Sequence, residues 1–399
     1  MPGFEIFGEE EKKSVNDVLE TGVLFRYGFD SARNNIWKAK TFEKEFAEYV
    51  NSKHCLLVSS GTSALSTALA ACGVGYGDEV IVPPFTFVAT IEGVLSVGAV
   101  PIFAEIDDTL CLDPDKLENF ITDKTKAVLP VHMCGAMARI DKIKEIAHKH
   151  KILLIEDACQ ATGATMNGKA AGTWGIAGCF SFDAVKTITC GEGGGIVTDN
   201  EIVYKRLDAY HDHGHDHIGN DRGKEGHVLL GMNYRISELN AAVGLAQLKK
   251  IDKILEIQRQ NHSQIAAVLK SFPKIKLRTV PDESGDSCSF ISFILEDEET
   301  ARRVAGGLVE AGVDGTTYWY DNNWHYIRNW NHIKYLQTAM PLAQLKLENF
   351  IDYTSLNLPQ SDDIISRTIS MQIKLSWTTE ELEIRCSKIN QVLNGIFGS

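Results

Sequence analysis

Between residues 55 and 200, short apolar runs recur with helix-like segments between them, and this alternation restricts the fold more than any single motif does. The runs are Cys55 to Ser59, Glu79 to Val82, Val100 to Ile106, Ala127 to Val131, Ile152 to Glu156, Gly178 to Phe182 and Gly195 to Thr198. Runs apolar on both faces are buried on both faces, which predicts a mainly parallel sheet covered by helices. Sheets of this kind bind ligands at the carboxyl ends of their strands. Helices are predicted over Glu9 to Leu19, Phe42 to Val50 and Ile236 to Lys250, and a long helix from Ile251 to Phe272 opens a second unit. Beyond it, the alternating stretch Cys288 to Leu295, a helix over Glu298 to Ala311, the aromatic run Thr317 to Trp330 and a helix over Thr379 to Ile396 predict a smaller α+β domain. The reading is an α/β chain with a large domain over residues 1–250 and a small one over 251–399.

Composition excludes several classes of function. With 53 acidic residues against 40 Lys and Arg, the formal charge is −13, which argues against a nucleic-acid surface. No run approaches the ~18 apolar residues of a membrane helix. The opening Met1-Pro2-Gly3-Phe4-Glu5 has neither the basic segment nor the apolar core of a signal peptide, so a cytoplasmic location without membrane contact is expected. Nine scattered cysteines without C-x-x-C spacing read as reduced thiols, and no metal is expected.

Three stretches carry chemistry. Lys186 lies between the apolar run ending at Phe182, with the Ser181 hydroxyl near its end, and the glycines 191, 193, 194 and 195, which let backbone approach closely. A confined lysine loses its proton more easily and can attack a carbonyl, so Schiff-base chemistry is the leading reading and a surface lysine the competing one. Upstream, Ile152 to Ile155 runs into Glu156 and Asp157 at the binding end of a strand. The third stretch, Ser59 to Ser66 with Ser60, Gly61 and Thr62 at its turn, reads as strand, glycine turn and helix N-terminus. It is a phosphate cradle, or else an ordinary capped helix. A lysine, an acid for a ring nitrogen and a phosphate cradle together match the needs of pyridoxal phosphate.

Ser60-Gly61-Thr62, Pro84 to Ala89, Glu156 to Ala161, Phe180 through Lys186 to Gly194 and Gly231 to Arg235 resemble, in order and spacing, the DegT/DnrJ/EryC1/StrS aminotransferases over nearly the whole chain. The resemblance implies the aspartate-aminotransferase fold and pyridoxal 5'-phosphate on Lys186. It implies Asp157 at the ring nitrogen, Gln160 near the ring hydroxyl and Ser181 at the phosphate. Phe87 is the implied ring-stacking residue, with the neighbouring Phe85 as the alternative. It also implies a homodimer with shared active sites, in which Asn233 reaches the partner's cofactor phosphate. Dehydratases of this family carry histidine at the Schiff-base position; lysine here implies transamination from L-glutamate to an oxo-sugar, with Lys186 as base and then acid.

Further strings narrow the acceptor: Phe25-Arg26-Tyr27, Val131 to Gly135, Asp212 to Gly219, Tyr318-Trp319-Tyr320 and Asn322 to Tyr326. They are similar to family members that aminate C8 of 8-oxo-3-deoxy-octulosonate, a sugar acid without a nucleotide. Nucleotide-linked keto-sugars remain the rival acceptors, and a sugar dehydratase or a non-catalytic metal-binding regulator the rival functions. Arg26, Tyr27, His215, His217 and Arg235 are candidates to meet substrate, and His325 and Arg328 to meet its carboxylate. The stretch His211 to His217, rich in histidine and aspartate, is a substrate loop or a metal site.

Overall fold

The computed structural model describes residues 2–219, 221–339, 342 and 351–398. Seven strands form one sheet: β1 His54–Val58, β2 Glu79–Val82, β3 Val100–Phe103, β4 Thr125–Val128, β5 Leu153–Asp157, β6 Ala177–Ser181 and β7 Gly194–Thr198. Their spatial order is β1-β7-β6-β5-β4-β2-β3. Strands β2 to β6 pair in parallel, whereas β7 is antiparallel to both β6 and β1, so six strands share one direction and β7 alone runs against them. The mainly parallel sheet expected from the alternation is present. Most predicted boundaries agree within two or three residues. The run from Val100 stops at Phe103, because Ile106 bridges Leu112 and leaves the sheet. The helix predicted over Ile236 to Lys250 spans Glu238–Leu248, since the Ser237 hydroxyl caps it by accepting the Asn240 N–H at 3.1 Å.

Buried aromatics join this sheet to its helices. Helix Lys38–Val50 lays Phe42 and Phe46 on the sheet, with Phe42 5.1 Å from Phe182 and Phe46 4.9 Å from Phe180, ring centre to ring centre. Next to that helix, Arg33 and Glu238 are buried 3.3 Å apart, and Glu238 also accepts the Lys38 and Ala39 amides.

A second, antiparallel sheet of β8 Lys276–Leu277, β9 Phe290–Ile294, β11 Thr368–Gln372 and β10 Thr316–Tyr318, in that spatial order, forms the smaller unit. Helices Ile251–Lys270, Glu298–Glu310 and Thr379–Phe397 cover it. The two hydrophobic cores divide within helix Ile251–Lys270: Ile251, Ile254 and Leu255 join the large core, Ile265 and Leu269 the small one. The aromatic segment returns to the large core through Trp319, Tyr320, Tyr326 and Trp330, so it bridges the two units. All nine cysteines are free thiols, and among the described residues no helix is long and apolar enough to cross a membrane.

Phe42 has no exposed surface and touches both its own helix and the end of β6. Phe42→Ala is expected to lower the unfolding free energy by about 3–5 kcal/mol in urea titrations, through lost transfer energy and the cavity left behind.

Candidate active site

The C-terminal ends of the codirectional strands gather Ser60, Asp157, Ser181 and Lys186, which stand at the last residues of the strands or in the turns that follow them. Lys186 lies in the loop of residues 182–193, which carries the chain from β6 back into its antiparallel neighbour β7. The loop is closed at its base by Phe182 N–H donating to the Gly193 carbonyl (2.9 Å) and Cys190 N–H to the Phe182 carbonyl (2.8 Å). The backbone of Lys186 itself is fixed: its N–H donates to Asp183 O, and its carbonyl accepts the Gly3 N–H, both at 3.1 Å. A side chain on so constrained a backbone has few directions open to it. The residue is half-buried, less enclosed than the sequence implied, since it forms part of a cavity wall.

Asp157, 3% exposed, ends the neighbouring strand β5. One carboxylate oxygen accepts the Thr90 hydroxyl at 2.7 Å, the other the Cys159 N–H at 3.1 Å. Thr90 is in turn 2.6 Å from the Thr86 hydroxyl, so a buried two-hydroxyl relay orients the acid. Glu156 points to the opposite side. It accepts the amides of Gly172, Trp174 and Gly175 and lies 2.9 Å from His132 Nε2, a fully satisfied structural carboxylate. The Thr86–Thr90 pair was not picked out from sequence, although its four-residue spacing was visible; what gives it meaning is Asp157, 67 positions away.

The cradle forms at helix Gly61–Ala71. Ser60 caps it, accepting the Ser63 N–H at 3.0 Å, and the amides of Gly61 and Thr62 lead the first turn. A Cβ on Gly61 would stand 2.8 Å from Ser181 Cβ and 3.1 Å from its hydroxyl, and one on Gly194 would stand 2.2 Å from the Ser60 carbonyl. Glycine at both places brings helix end, Ser60 and Ser181 together. Amide and hydroxyl donors converging on one helix N-terminus fit a phosphate, and Asp157 and Lys186 beside them fit a pyridine ring and its aldehyde.

A cavity of about 240 Å³ opens from Lys186 toward the small domain, lined among others by Gln160, Phe290, Trp319, Asn322 and His325. Gln160 is held by the Cys134 N–H at 3.1 Å. Phe85 is fully buried against Trp319, whereas Phe87 exposes its ring and stacks parallel to Trp324 at 5.7 Å; of the two candidates only Phe87 offers a free face. The His325 imidazole, 5.4 Å from Phe87 and 3.0 Å from Asn322 Oδ1, is pushed down to about 4 by burial and by the Lys186 charge. It is neutral at physiological pH, so it can offer a hydrogen bond but not the positive charge expected for a carboxylate. Arg328 is engaged by Tyr320.

The remaining substrate candidates form a separate polar cluster beside the end of β1, and none of them lines the Lys186 cavity. Arg26 is buried and donates to Glu43 (2.7 Å) and the Leu57 carbonyl (2.9 Å), which removes it from substrate reach. The Tyr27 hydroxyl donates to Asp208 Oδ1 at 3.3 Å and lies 3.0 Å from His211 Nε2, and its ring stacks on His217 at 4.6 Å. His217 sits between Asp208 (2.7 Å) and Asp212 (3.0 Å), while Arg222 and Arg235 both donate to Asp212. His215 lies 3.1 Å from Glu225. His211 and His217 are thus engaged by a tyrosine and carboxylates, whereas His213 is exposed, and Asn220 lies outside the described residues. The cluster does touch the cradle: the Ser59 N–H donates to the Tyr234 carbonyl at 2.8 Å, and Asn233, next in line, is exposed.

Residues 5–390 match the DegT/DnrJ/EryC1/StrS aminotransferase family. GDP-perosamine synthase of Vibrio cholerae is 34% identical over 356 residues, 88% of this chain and 90% of that protein. L-glutamine:2-deoxy-scyllo-inosose aminotransferase of Streptomyces kanamyceticus is 41% identical over 250 residues, which span 61% of this chain and 58% of that protein. Among solved structures, NtdA of Bacillus subtilis with its bound cofactor PMP superposes with a TM-score of 0.80 at 28% identity, covering 98% of this chain and 84% of that one.

Thr90→Val removes a donor to a buried carboxylate, a contribution of roughly 1.5–3 kcal/mol. It is expected to lower kcat by roughly tenfold to a hundredfold, with Thr90→Ser keeping most of the rate. The His217 imidazolium, desolvated yet held by the hydrogen bonds of Asp208 and Asp212, is raised to about 9. Its stabilisation is complete below the ordinary histidine value near 6.5 and is lost as pH rises from there through about 9. Thermal melts of wild type across this window are expected to slope downward, and those of His217→Gln to be flatter.

Proposed function

The chain belongs to the DegT/DnrJ/EryC1/StrS aminotransferase family, and on that premise we propose that it moves an amino group from L-glutamate to C8 of 8-oxo-3-deoxy-octulosonate. The observation that carries the aminotransferase reading is Lys186 on the wall of a cavity whose neighbouring strand ends in Asp157. Bound pyridoxal phosphate supplies an aldehyde carbon that ferries the amino group and a ring that draws off electrons. The protein supplies the rest. Asp157, held by Thr90 and Cys159, keeps a proton on the ring nitrogen, and the Gly61–Thr62 amides with Ser181 receive the phosphate. The Lys186 amine takes the proton from the donor Cα and returns it on the far side of the reaction. Phe87 covers the ring face. His325 and Asn322 offer neutral hydrogen bonds to sugar hydroxyls, and the apolar rings of Trp319 and Phe290 exclude water.

What supports the octulosonate acceptor is the set of strings around Tyr27, Met133, His215, Trp319 and His325. The rival is a nucleotide-linked keto-sugar, favoured by the name of the Vibrio relative; the Streptomyces relative's name makes L-glutamine the rival donor. We place the active unit in a homodimer, with exposed Asn233 completing the partner's phosphate site.

Visible spectra of the pyridoxal phosphate enzyme test all of this. L-glutamate is expected to bleach the cofactor band, and 8-oxo-3-deoxy-octulosonate to restore it, while Lys186→Ala gives no turnover. Restoration only by a nucleotide-linked keto-sugar overturns the acceptor; bleaching only by L-glutamine overturns the donor; no bleaching by either overturns transamination.

A further inference from the structure

A second cavity, about 690 Å³, lies between helix Ile251–Lys270 and the edge of the small sheet. Phe290 lines both cavities, so this one backs onto the active site. At its wall His262, from the helix, meets Asp286 and Cys288, from the loop that enters β9. One ligand atom of each residue, an imidazole nitrogen, a carboxylate oxygen and a thiol sulfur, lies within 4.8 Å of the others. The loop is shaped for this meeting. Asp286 Oδ1 accepts the Cys288 N–H at 2.9 Å, and Cys288 is held at φ 57°, a left-handed conformation that costs a non-glycine residue about 1–2 kcal/mol. Both loop residues are more than nine-tenths buried.

We propose that His262, Asp286 and Cys288 form a zinc site that pins helix Ile251–Lys270 to the loop before β9. Nitrogen, oxygen and sulfur donors suit Zn²⁺, and a tetrahedral ion takes its fourth ligand, a water, from the cavity. Binding replaces the Cys288 S–H bond by a thiolate–zinc bond and releases one proton to solvent; nothing is oxidised or reduced. Arg259 and Arg278 line the same cavity, and their charges oppose a lone cation. The thiolate and the carboxylate together offset the charge of the ion, so both are needed. Of the residues lining the active-site cavity, this cavity shares only Phe290.

The test is metal analysis of the pyridoxal phosphate enzyme after equilibrium dialysis against Zn²⁺, with zinc-edge X-ray absorption on the same sample. About one zinc per chain with one sulfur ligand is expected, together with a rise in melting temperature on adding zinc. Cys288→Ser is expected to lose the sulfur signal and the thermal shift, and His262→Gln to weaken binding at least tenfold, while both keep the cofactor's visible band as evidence of folding. A wild type that retains no zinc, or holds it through nitrogen and oxygen alone as the His211–His217 loop would, overturns the proposal. So does a sulfur signal unchanged in both variants.

Discussion

A carboxylate with 3% of its surface exposed must be held by donors, and around Asp157 the rest of the site is arranged. Its strand supplies depth, the Thr86–Thr90 relay and the Cys159 amide fix its two oxygens, and its backbone is tied to the next strand. There, Asp157 N–H donates to the Pro130 carbonyl, and the Asp157 carbonyl accepts the His132 N–H at 3.0 Å. Because the parallel sheet sets strand ends side by side, the same plane receives Ser181, one strand over, and the Ser60 turn beyond it. The reversal of β7 adds the last element. It forces the chain to turn between β6 and β7, and Lys186 is carried on that turn.

The parts of this arrangement legible from sequence were those written in local pattern. Apolar runs marked the strands, Ser60 and Gly61 marked a turn into a helix start, and Gly194 marked a close approach that the structure shows to be made by the Ser60 carbonyl. Thr90 was not legible, because a threonine in an apolar helix looks like any other until its partner across the sheet is known. Nor was the neutrality of His325, which comes from burial and from Lys186, a residue 139 positions earlier.

The Arg26 to Arg235 cluster fails in the opposite sense. Basic and aromatic residues in loops read as ligand groups, yet here Glu43, Asp208 and Asp212 engage them within the same chain. A buried guanidinium needs a carboxylate, and the partner of Arg26 lies 17 residues away on a helix whose apolar face drew all the attention. Charge pairing at a distance is the information that a linear pattern lacks. The same holds for His262, Asp286 and Cys288, which no spacing rule would group.

The central claim is that the turn between β6 and β7 presents Lys186, and no other lysine, to the cofactor. Borohydride reduction of the pyridoxal phosphate enzyme followed by peptide mass mapping tests it directly. The account predicts the cofactor mass on the peptide containing Lys186, and its absence from that peptide after prior treatment with amino donor. The mass on any other lysine, or on none in the untreated enzyme, contradicts it.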